Sequence, residues 1–464
     1  MRFFSFMVIL CLLTGVNTIA QNEKLEYWLT KSDRSVLFTR QAPLEFRRSS
    51  TSAPTIIIDD SKKYQSIDGF GFSVTGGSAQ HIVKMSASAR SALLKELFAI
   101  DGNNIGISYI RLSIGASDLN EKIFSYNDLP EGETDTALLR FDLGPDRQDV
   151  IPVMKEILQI NPSIKILGSP WSPPVWMKTN KDTRGGQLLP EYYGAYAKYF
   201  AKYIGQMKAE GIVIDAITIQ NEPLHPGNNP SLLMTAPDMA LFIRDHLGPL
   251  FAKNNIKTKI IVYDHNANRP DYPIHIYQDK EAAKYIDGSG FHLYAGEMEA
   301  LSDVHNAYPD KHIYFTEQMV VERPGRPGIN IASPVRRLII DAPRNWSRNV
   351  IEWNLAADPE NKPFTDRGGC DMCQGAVTID KDNFTRNVAY YSVAHASKFV
   401  RPGSIRIASN KTDSISNVAF ITPEGKYVLI VSNDSKKKQT FNIKFKNRIA
   451  EAKLEGGDVA TYLW

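Results

Sequence analysis

From about residue 67 onward, eight short runs rich in β-branched residues alternate with longer amphipathic segments. The runs are IDGFGFSVT, YIRLSIG, IKILGSPWS, IDAITIQNEP, KIIVYDHN, GSGFHLYAG, HIYFTEQ and NVIEWNLAADP. The segments between them, such as SASARSALLKELF and DVIPVMKEILQI, carry apolar residues at helical spacing, with Ser or Asp near their starts. This alternation predicts a parallel (β/α)8 barrel. An open doubly wound sheet is the alternative, but no G-x-G-x-x-G follows the first run.

The segments on either side of this alternation have a different pattern. From about residue 403, SIRIAS, NVAFITPEGKYVLIVSN and TFNIKFKN alternate apolar and polar residues around turn signals. The N-terminal EYWLTKSDRSVLFTRQ and TIIIDD are also strand-like. We therefore expect an antiparallel β-sandwich domain formed by both ends of the chain, with the barrel inserted between them. The predicted boundaries are 21–66 and 397–464 for the sandwich and 67–396 for the barrel.

Residues 1–20 have the pattern of a secretory signal peptide: Arg2, an apolar run, and Thr18-Ile19-Ala20 before Gln21. The apolar run is too short to span a bilayer, and no other stretch of the sequence is long and apolar enough to do so. We expect an exported protein, located in the periplasm, at the cell surface or outside the cell. A membrane anchor is the alternative interpretation of the N-terminal segment.

The charge of the chain is nearly balanced. Its 464 residues carry a formal net charge of +3, so no strong field favours nucleic acid or an anionic membrane as a partner. A partner is therefore expected to bind in a pocket.

Cys370 and Cys373 are the cysteines that remain once the signal peptide is removed, and they lie in DRGGCDMCQG. In an oxidising compartment, a C-x-x-C in a Gly-rich loop can close a small disulfide ring. A four-thiolate zinc site would need two more cysteines. Free thiols and a redox motif are the other interpretations.

Two glutamates end runs that are predicted to be barrel strands. Glu222 closes the fourth run and Glu317 closes the seventh. Reacting groups in such a barrel lie at the C-terminal ends of the strands, so both carboxyl groups are expected to face one bowl. Glycoside hydrolysis requires two carboxyl groups that flank the scissile bond. The alternative is that each glutamate forms a solvent-facing ion pair.

Residues near neighbouring strand ends fit a sugar substrate, because sugar rings stack on aromatic faces while their hydroxyls need polar partners. The aromatic candidates are Trp171, Trp176, Tyr294 and Trp353. The polar candidates are Arg111, Asp118, Asn221, Asn266 and His292. Taken singly, any of the aromatic residues is as readily a core residue, and a lone histidine is more often one.

Other hydrolytic chemistries fit the sequence less well. The nine histidines are scattered, and neither H-E-x-x-H nor a His-carboxylate cluster occurs. No G-x-S-x-G nucleophile elbow is present. The sequence thus predicts no metal and no cofactor.

Six further motifs occur in a fixed order along the chain: GSPWSPPVWMKTN, TIQNEP, EAAKYIDGSGFHLYAG, EWNLAADP, SKFVRPGS and ATYLW. At these motifs the sequence resembles glycoside hydrolase family 30, the family of lysosomal glucosylceramidase and microbial β-1,6-glucanases. The resemblance covers nearly the whole mature chain. It implies a retaining mechanism on a (β/α)8 barrel joined to a β-sandwich.

The resemblance also implies roles for individual residues. Glu222 would be the general acid/base and Glu317 the nucleophile. Asn221 would hydrogen-bond the sugar 2-hydroxyl, and Tyr294 would orient the nucleophile. The sugar subsite would be lined by Arg111, Asp118, Trp171, Trp176, His292 and Trp353. With Glu317 ionised nearby, the pKa of Glu222 is expected to rise above its ordinary value.

Two departures from the glucosylceramidase pattern bear on the substrate. Gly76 and Gly77 stand where those enzymes usually have an Asp, and GGCDMCQG looks like bacterial members of the β-1,6-glucanase type. The predicted substrate is therefore a β-1,6-linked glucan. A glucosylceramidase or β-glucosidase that acts on single glucosides is the alternative within the class. A non-catalytic carbohydrate-binding protein is the alternative from another class.

Overall fold

The computed structural model describes residues 24–48, 51–322, 328–413 and 415–464. The predicted signal peptide, residues 1–20, lies outside the described residues. Within the described ranges, none of the helices has the length and apolar character needed to cross a membrane.

Four strands precede the barrel. They are β1 (Lys24–Thr30), β2 (Thr39–Arg40), β3 (Leu44–Glu45) and β4 (Thr55–Ser66). β1 is antiparallel to both β2 and β3. β4 carries isoleucines at alternate buried positions, Ile56 and Ile58, as expected for a strand with one face on a core.

Eight parallel strands, hydrogen-bonded in sequence order, then close into a barrel. They are β5 (Gly69–Val74), β6 (Tyr109–Ser113), β7 (Lys165–Ser169), β8 (Ala216–Thr218), β9 (Lys259–Ala267), β10 (Ile286–Gly296), β11 (His312–Glu317) and β12 (Ser347–Asn354). A layer of buried side chains from six of these strands fills the centre: Tyr109, Leu167, Ala216, Ile261, Tyr314 and Ile351. The barrel is therefore packed, and functional groups are left to its C-terminal rim.

Helices cover the outside of the barrel and bury its outward-facing apolar residues in the main hydrophobic core. They are α1 (Gly76–Lys84), α2 (Ala87–Phe98), α3 (Val150–Ile160), α4 (Tyr193–Ala209), α5 (Ala236–Phe242), α6 (Gly248–Lys253), α7 (Asp271–Gln278), α8 (Lys280–Ala283), α9 (Glu299–Ala307), α10 (Ala332–Pro334), α11 (Asp341–Arg344) and α12 (Val388–Ser397). π-helical turns, Ile243–Leu247 and Val335–Ile340, join α5 to α6 and α10 to α11. The serine predicted at the start of α2 caps it, since the Ser86 hydroxyl accepts from the N–H of Ala89.

After β12 the chain forms a small three-stranded sheet before it returns to the barrel. Its strands are β13 (Ala356–Ala357), β14 (Val377–Asp380) and β15 (Asn383–Arg386). The loop between β13 and β14 contains the cysteine motif, and it crosses the C-terminal rim of the barrel.

Six C-terminal strands complete the sandwich: β16 (Ile405–Ser409), β17 (Ser416–Ile421), β18 (Tyr427–Ser432), β19 (Gln439–Phe445), β20 (Arg448–Leu454) and β21 (Val459–Leu463). The strand order is β2-β1-β21-β18-β17-β16-β4-β19-β20. β1 is antiparallel to β21, and β4 is antiparallel to β16. The predicted fold class, a (β/α)8 barrel with an attached β-sandwich, is confirmed. One pairing differs from the antiparallel expectation: β4 is parallel to β19. The whole barrel separates these two strands in sequence, so no hairpin requires them to be antiparallel.

A buried histidine ties the sandwich to the last barrel helix. His395 on α12 lies between two threonine hydroxyls, with Nε2 2.9 Å from Thr30 Oγ1 on β1 and Nδ1 2.9 Å from Thr461 Oγ1 on β21. A neutral imidazole satisfies both contacts by accepting one hydrogen bond and donating the other. Burial lowers the pKa of His395 to about 3, so the ring is neutral in the folded protein near neutral pH.

This buried histidine predicts a specific loss of stability in acid. The unfolded chain protonates His395 below its ordinary pKa of 6.5, whereas the folded protein does not until about pH 3. The free energy of unfolding should therefore decline as the pH falls through this window, by up to about 1.4 kcal/mol per pH unit. Denaturant titrations of wild type and His395→Gln from pH 7 to 4 measure this; the variant should be less stable at pH 7 and should have a shallower slope.

The matched control is His275→Gln, because His275 is exposed on α7. That variant should keep the wild-type slope. If His395→Gln keeps it as well, the acid sensitivity comes from other groups.

Candidate active site

Glu317 is the last residue of β11, and its carboxyl group lies at the C-terminal rim of the barrel. The side chain is buried and forms an ion pair with Arg111 Nη1. Its Oε1 also accepts a hydrogen bond of 3.0 Å from the hydroxyl of Tyr294. These two donors fix the orientation of a carboxylate that has little contact with water.

Glu222 stands on the chain that follows β8, four residues after that strand ends at Thr218. The prediction that it closes the fourth strand is therefore corrected: residues 219–222 leave the hydrogen-bond ladder. Glu222 has φ +46°, in the left-handed region, where a residue with a side chain is strained. Its backbone N–H donates to the carbonyl of Asp264 at 3.0 Å, which holds this conformation. The turn aims the side chain into the bowl above the barrel.

Asp264 on β9 is the buried hub of the site. Its Oδ2 accepts from Arg111 Nη2 at 2.8 Å, and its Oδ1 lies 3.1 Å from His292 Nε2. Hydroxyl groups from three more strands also donate to this carboxylate, those of Ser169, Thr218 and Thr316. Burial opposes its ionisation, but Arg111 and these hydrogen bonds outweigh burial and hold the pKa of Asp264 below its ordinary range. Asp264 is thus a fixed negative charge around which the other groups are arranged.

Arg111 on β6 connects this hub to both sides of the bowl. Its Nη2 donates to Asn221 Oδ1 at 2.7 Å, in addition to Asp264. Its Nη1 binds Glu317. The buried Arg111 guanidinium therefore positions two groups: Asn221, which precedes Glu222, and the carboxyl group of Glu317.

His292 on β10 lies between the two glutamates. Its Nδ1 is 3.2 Å from Glu222 Oε1 and 3.7 Å from Glu317 Oε1. Burial acts to lower the pKa of His292, but the charge of Glu317 and the contacts with Asp264 and Glu222 outweigh it and raise this pKa to about 9. A protonated imidazole therefore bridges the two carboxyl groups near neutral pH.

The charges of the site decide how the glutamates hold protons. Arg111 and His292 supply two positive charges, and ionised Asp264 balances one of them, so one glutamate ionises readily and the second does so only at higher pH. At Glu222, the contacts with His265 and His292 outweigh burial and lower the pKa. At Glu317, burial raises the pKa against the charges of His292 and Arg111.

The expected rise in the pKa of Glu222 is therefore wrong for this arrangement of the site. The expectation considered only the charge of Glu317, which does act in that direction. It did not include the two histidines that contact Glu222, because their positions in space were not visible in the sequence.

A cavity of about 250 Å³ opens above these groups. It is lined by Asp118, Trp171, Asn221, Glu222, His225, Asn228, Asn266, Tyr294, Glu317, Met319, Trp353, Cys370 and Cys373. Six of the nine candidate substrate-binding residues line this cavity. Two more, Arg111 and His292, lie beneath it and bond directly to its glutamates. The cavity combines apolar ring faces with carboxyl and amide groups, as sugar binding requires.

Trp171 and Trp353 form one wall of the cavity, with ring centroids 5.3 Å apart. The Arg111 guanidinium lies 4.8 Å from the Trp171 ring, a cation–π contact that couples this wall to the charged hub. Trp176 does not line the cavity. Its indole N–H donates to Asn127 and its ring packs edge-on against Tyr192, because the short helical turn after the SPP motif directs it into the core.

Cys370 and Cys373 are joined by a disulfide bond, which lines the same cavity. Cys373 is buried against Trp171 and Trp353, and its sulfur lies 3.4 Å from the sulfur of Met319. The loop that carries the disulfide therefore supports the tryptophan wall.

Asp118 follows β6 and is almost fully buried in the cavity wall. Burial, with the nearby charges of Glu317 and Glu222, raises the pKa of Asp118 to about 8. A carboxyl group that is neutral at pH 7 can donate as well as accept a hydrogen bond, which suits recognition of a sugar hydroxyl.

Asn266, on β9, supports the opposite side of the site. Its Oδ1 accepts the backbone N–H groups of Tyr294 and Ala295, at 2.8 and 3.3 Å. It therefore positions the tyrosine that donates to Glu317, in addition to lining the cavity.

The sequence analysis missed several residues of the site: Asp264, His265, His225, Asn228 and Met319. Asp264 and His265 lie in YDHN, at the end of a predicted strand, and this is the same signal that identified Glu222. His225 and Asn228 lie in the loop after Glu222, where no periodic pattern indicates which side chains point inward.

Glu222, His265 and His292 place one potential metal-ligand atom each within 4.8 Å of one another. Both nitrogens of His292 already contact carboxyl groups, and the three residues are held together by these contacts. We assign no metal to this cluster.

The chain matches two models of known families. The glycosyl hydrolase family 30 TIM-barrel domain matches residues 67–400, and the glycosyl hydrolase family 30 β-sandwich domain matches residues 403–462.

Similar proteins share most of the chain. The endo-1,6-β-D-glucanase neg1 of Aspergillus fumigatus is 32% identical over 411 residues, which are 83% of this chain and 82% of that protein. The lysosomal acid glucosylceramidase of Mus musculus is 28% identical over 439 residues, 88% of this chain and 83% of that protein. The solved structure of the endo-β-1,6-glucanase BT3312 superimposes with a TM-score of 0.88 at 34% identity, and covers 95% of this chain and 99% of that one.

A closed (β/α)8 barrel with two buried glutamates beside an aromatic-walled cavity, together with these similarities, defines the protein as a glycosidase. The chain belongs to glycosyl hydrolase family 30.

The hub predicts the effect of removing its charge. Asp264→Asn keeps the shape of the side chain but leaves Arg111 and His292 with fewer negative partners in a buried site. We expect glycosidase kcat/KM to fall at least about 100-fold, the cost of losing about 3 kcal/mol of transition-state stabilisation. Steady-state kinetics on a β-glucosidic substrate measures this.

Asp271→Asn is the matched control, because Asp271 is an exposed aspartate at the start of the helix that follows β9. It should retain wild-type activity. A fully active Asp264→Asn enzyme would show that the buried charge is not needed.

Proposed function

We propose that the protein is a retaining glycoside hydrolase that cleaves β-1,6-linked glucan by double displacement, with Glu317 as nucleophile and Glu222 as general acid/base. The observation that carries the proposal is that the carboxyl groups of Glu222 and Glu317 both approach the same nitrogen, Nδ1 of His292. Retaining enzymes need carboxyl groups ~5–5.5 Å apart, and inverting enzymes ~6.5–9.5 Å. Two oxygens that lie 3.2 and 3.7 Å from one nitrogen are at most about 6.9 Å apart, which includes the retaining range and only the lower end of the inverting range.

The contacts of each glutamate suit its proposed role. Glu317 is held by Arg111 and Tyr294, so a carboxylate oxygen is oriented for attack on the anomeric carbon. Tyr294 also accepts the backbone N–H of Met319 at 3.0 Å, which fixes the tyrosine. Attack forms a covalent glycosyl-enzyme, and water then hydrolyses it.

Glu222 faces the bond that breaks. A glycosidic oxygen beside it accepts a hydrogen bond, and this favours the protonated carboxyl group over the ionised one. Glu222 gives this proton to the leaving oxygen in the first step. In the second step the resulting carboxylate takes a proton from water, and the histidine contacts that stabilise its ionised form support this role as base.

The preference for a β-1,6 linkage is supported by the similar proteins, since neg1 and BT3312 are both endo-1,6-β-glucanases. Action on single glucosides is the second candidate, and the similarity to the mouse glucosylceramidase favours it. The two candidates share the same glutamates and differ in what lies beyond the scissile bond.

We also propose that the protein is exported. The signal-like pattern of residues 1–20 and the disulfide between Cys370 and Cys373 support this. Fractionation of the source cells with N-terminal sequencing tests it; intact protein in the cytoplasm that retains residues 1–20 would contradict it.

Products distinguish the two candidate substrates. We expect short oligosaccharides from a linear β-1,6-glucan, with slower cleavage of an aryl β-glucoside and of glucosylceramide in detergent micelles. Chromatography of the products over time measures this. Glucose as the sole product from the glucan, together with faster aryl-glucoside cleavage, would favour the single-glucoside function.

Azide rescue separates the roles of the two glutamates, because azide attacks from the face that the missing carboxyl group leaves open. Glu317→Ala should yield the α-glycosyl azide and Glu222→Ala the β-glycosyl azide, each from a substrate with an activated leaving group. Without azide, each variant should lose at least about 1000-fold in kcat on the glucan. Nuclear magnetic resonance of the products gives the anomeric configuration, and the reverse pattern would exchange the two roles.

A further inference from the structure

We propose that His265 is a positioning residue for Glu222, which it holds in place and whose proton transfer it controls. The inference rests on the proposed role of Glu222 as general acid/base. It adds a residue that acts through Glu222 and determines the pH range in which hydrolysis is fast.

A bulge in β9 brings His265 into the bowl. Gly290 on β10 is opposite Tyr263, and Phe291 is opposite His265, so Asp264 is an extra residue in β9. Side chains of consecutive residues normally point to opposite faces of a strand. The bulge breaks this alternation, and the side chains of Asp264 and His265 both approach groups of the site.

The backbone is strained at this bulge. Tyr263 and Asp264 have φ of +72° and +60°, both in the left-handed region that non-glycine residues rarely adopt. Such strain persists where the surrounding structure requires it. Here the contacts of Asp264 with Arg111 and His292 hold the bulge, and His265 is directed by it.

The imidazole of His265 is buried and aimed at Glu222. Its Nδ1 is 3.6 Å from Glu222 Oε1 and makes no hydrogen bond among the described residues. A slightly shorter distance between these two atoms makes a hydrogen bond. Catalytic hydrogen bonds are often long before substrate binds. The ring packs at 5.8 Å from Tyr263, which limits its rotation.

His265 differs from the other groups that contact the same carboxyl group. His292 Nδ1 lies 3.2 Å from the same oxygen, but its other nitrogen is held by Asp264. Asn228 Nδ2 reaches the other oxygen at 3.5 Å and cannot change its charge. His265 is therefore the histidine contact of Glu222 that can be removed without breaking the bond between His292 and Asp264.

The electrostatic field at Glu222 comes from side chains at the neighbouring strand ends. The titratable or charged groups that face it are Arg111, Asp118, Asp264, His265, His292, Tyr294 and Glu317. Among the contacts that lower the pKa of Glu222, the contact with the potential donor His265 has the largest effect. Removing this donor should therefore raise the pH at which Glu222 loses its proton.

The test uses three variants of the full-length mature enzyme. His265→Phe keeps the ring packing against Tyr263 and removes the donor, and His275→Phe changes an exposed histidine on α7. His265→Asn retains a donor, because its amide nitrogen is as many bonds from Cβ as the histidine Nδ1 that faces Glu222. The substrates are a linear β-1,6-glucan, whose leaving group needs a proton, and 2,4-dinitrophenyl β-gentiobioside, whose leaving group does not. The measurement is kcat/KM from pH 4 to 9.

For the glucan, the alkaline limb of the His265→Phe profile should move up by about one pH unit, equivalent to a tenfold change in proton affinity. His265→Asn should return it at least halfway, and His275→Phe should match wild type. Loss of rate at the optimum should be about tenfold on the glucan and under about twofold on the dinitrophenyl substrate, because only the first requires protonation.

An alkaline limb that stays in place in His265→Phe, or equal losses on both substrates, would overturn the inference and leave His265 a packing residue. If His265→Phe does not fold, as judged by circular dichroism, His265→Leu replaces it, because leucine carries no donor; an unmoved limb then overturns the inference in the same way. Wild-type enzyme with no activity on either substrate would instead contradict the proposed function itself.

Discussion

The buried ion pair between Arg111 and Asp264 is the interaction on which the rest of the site depends. The two charges are fully buried, and such a pair is stable only when each remaining polar group is also satisfied. The Nη groups of Arg111 bind Asn221 and Glu317, whereas its Nε makes no hydrogen bond among the described residues. Asp264 binds His292 and three hydroxyls. The contacts that stabilise this buried ion pair therefore also position both glutamates. The excess positive charge of Arg111 and His292 over Asp264 also keeps one glutamate ionised while the pair retains a proton.

The barrel was predictable because its signals are local. The β-branched residues of each run indicate a buried strand, and the spacing of apolar residues in each intervening segment indicates a helix. Eight such repeats are the number that closes a (β/α)8 barrel. The chain end at β21 pairs with β1 as the alternating pattern suggested. The parallel contact of β4 with β19 was not predictable, since no turn connects the two strands and their register depends on how the sandwich packs.

Within the site, prediction succeeded for residues whose position follows from the strand they end, such as Glu317, or from a family motif, such as Trp353. It failed where a backbone irregularity changes a side chain's direction. The bulge at Asp264 turns two consecutive residues inward, and regular alternation would place one of them outside. Trp176 was misplaced for the same reason, because a short helical turn rather than a strand sets its direction. The pKa of Glu222 depends on two histidines that are 43 and 70 residues away in sequence, and this coupling has no local signal.

The central claim is that Glu317 attacks the sugar and Glu222 does not. The most direct measurement is to incubate the enzyme with a 2-deoxy-2-fluoro-β-glucosyl or gentiobiosyl fluoride, which slows hydrolysis of the glycosyl-enzyme, and to map the modified peptide by mass spectrometry. The account predicts one fluoroglycosyl group per chain, attached to the peptide that contains Glu317. A label on Glu222, or turnover of the reagent to the inverted sugar with no covalent adduct, would contradict it.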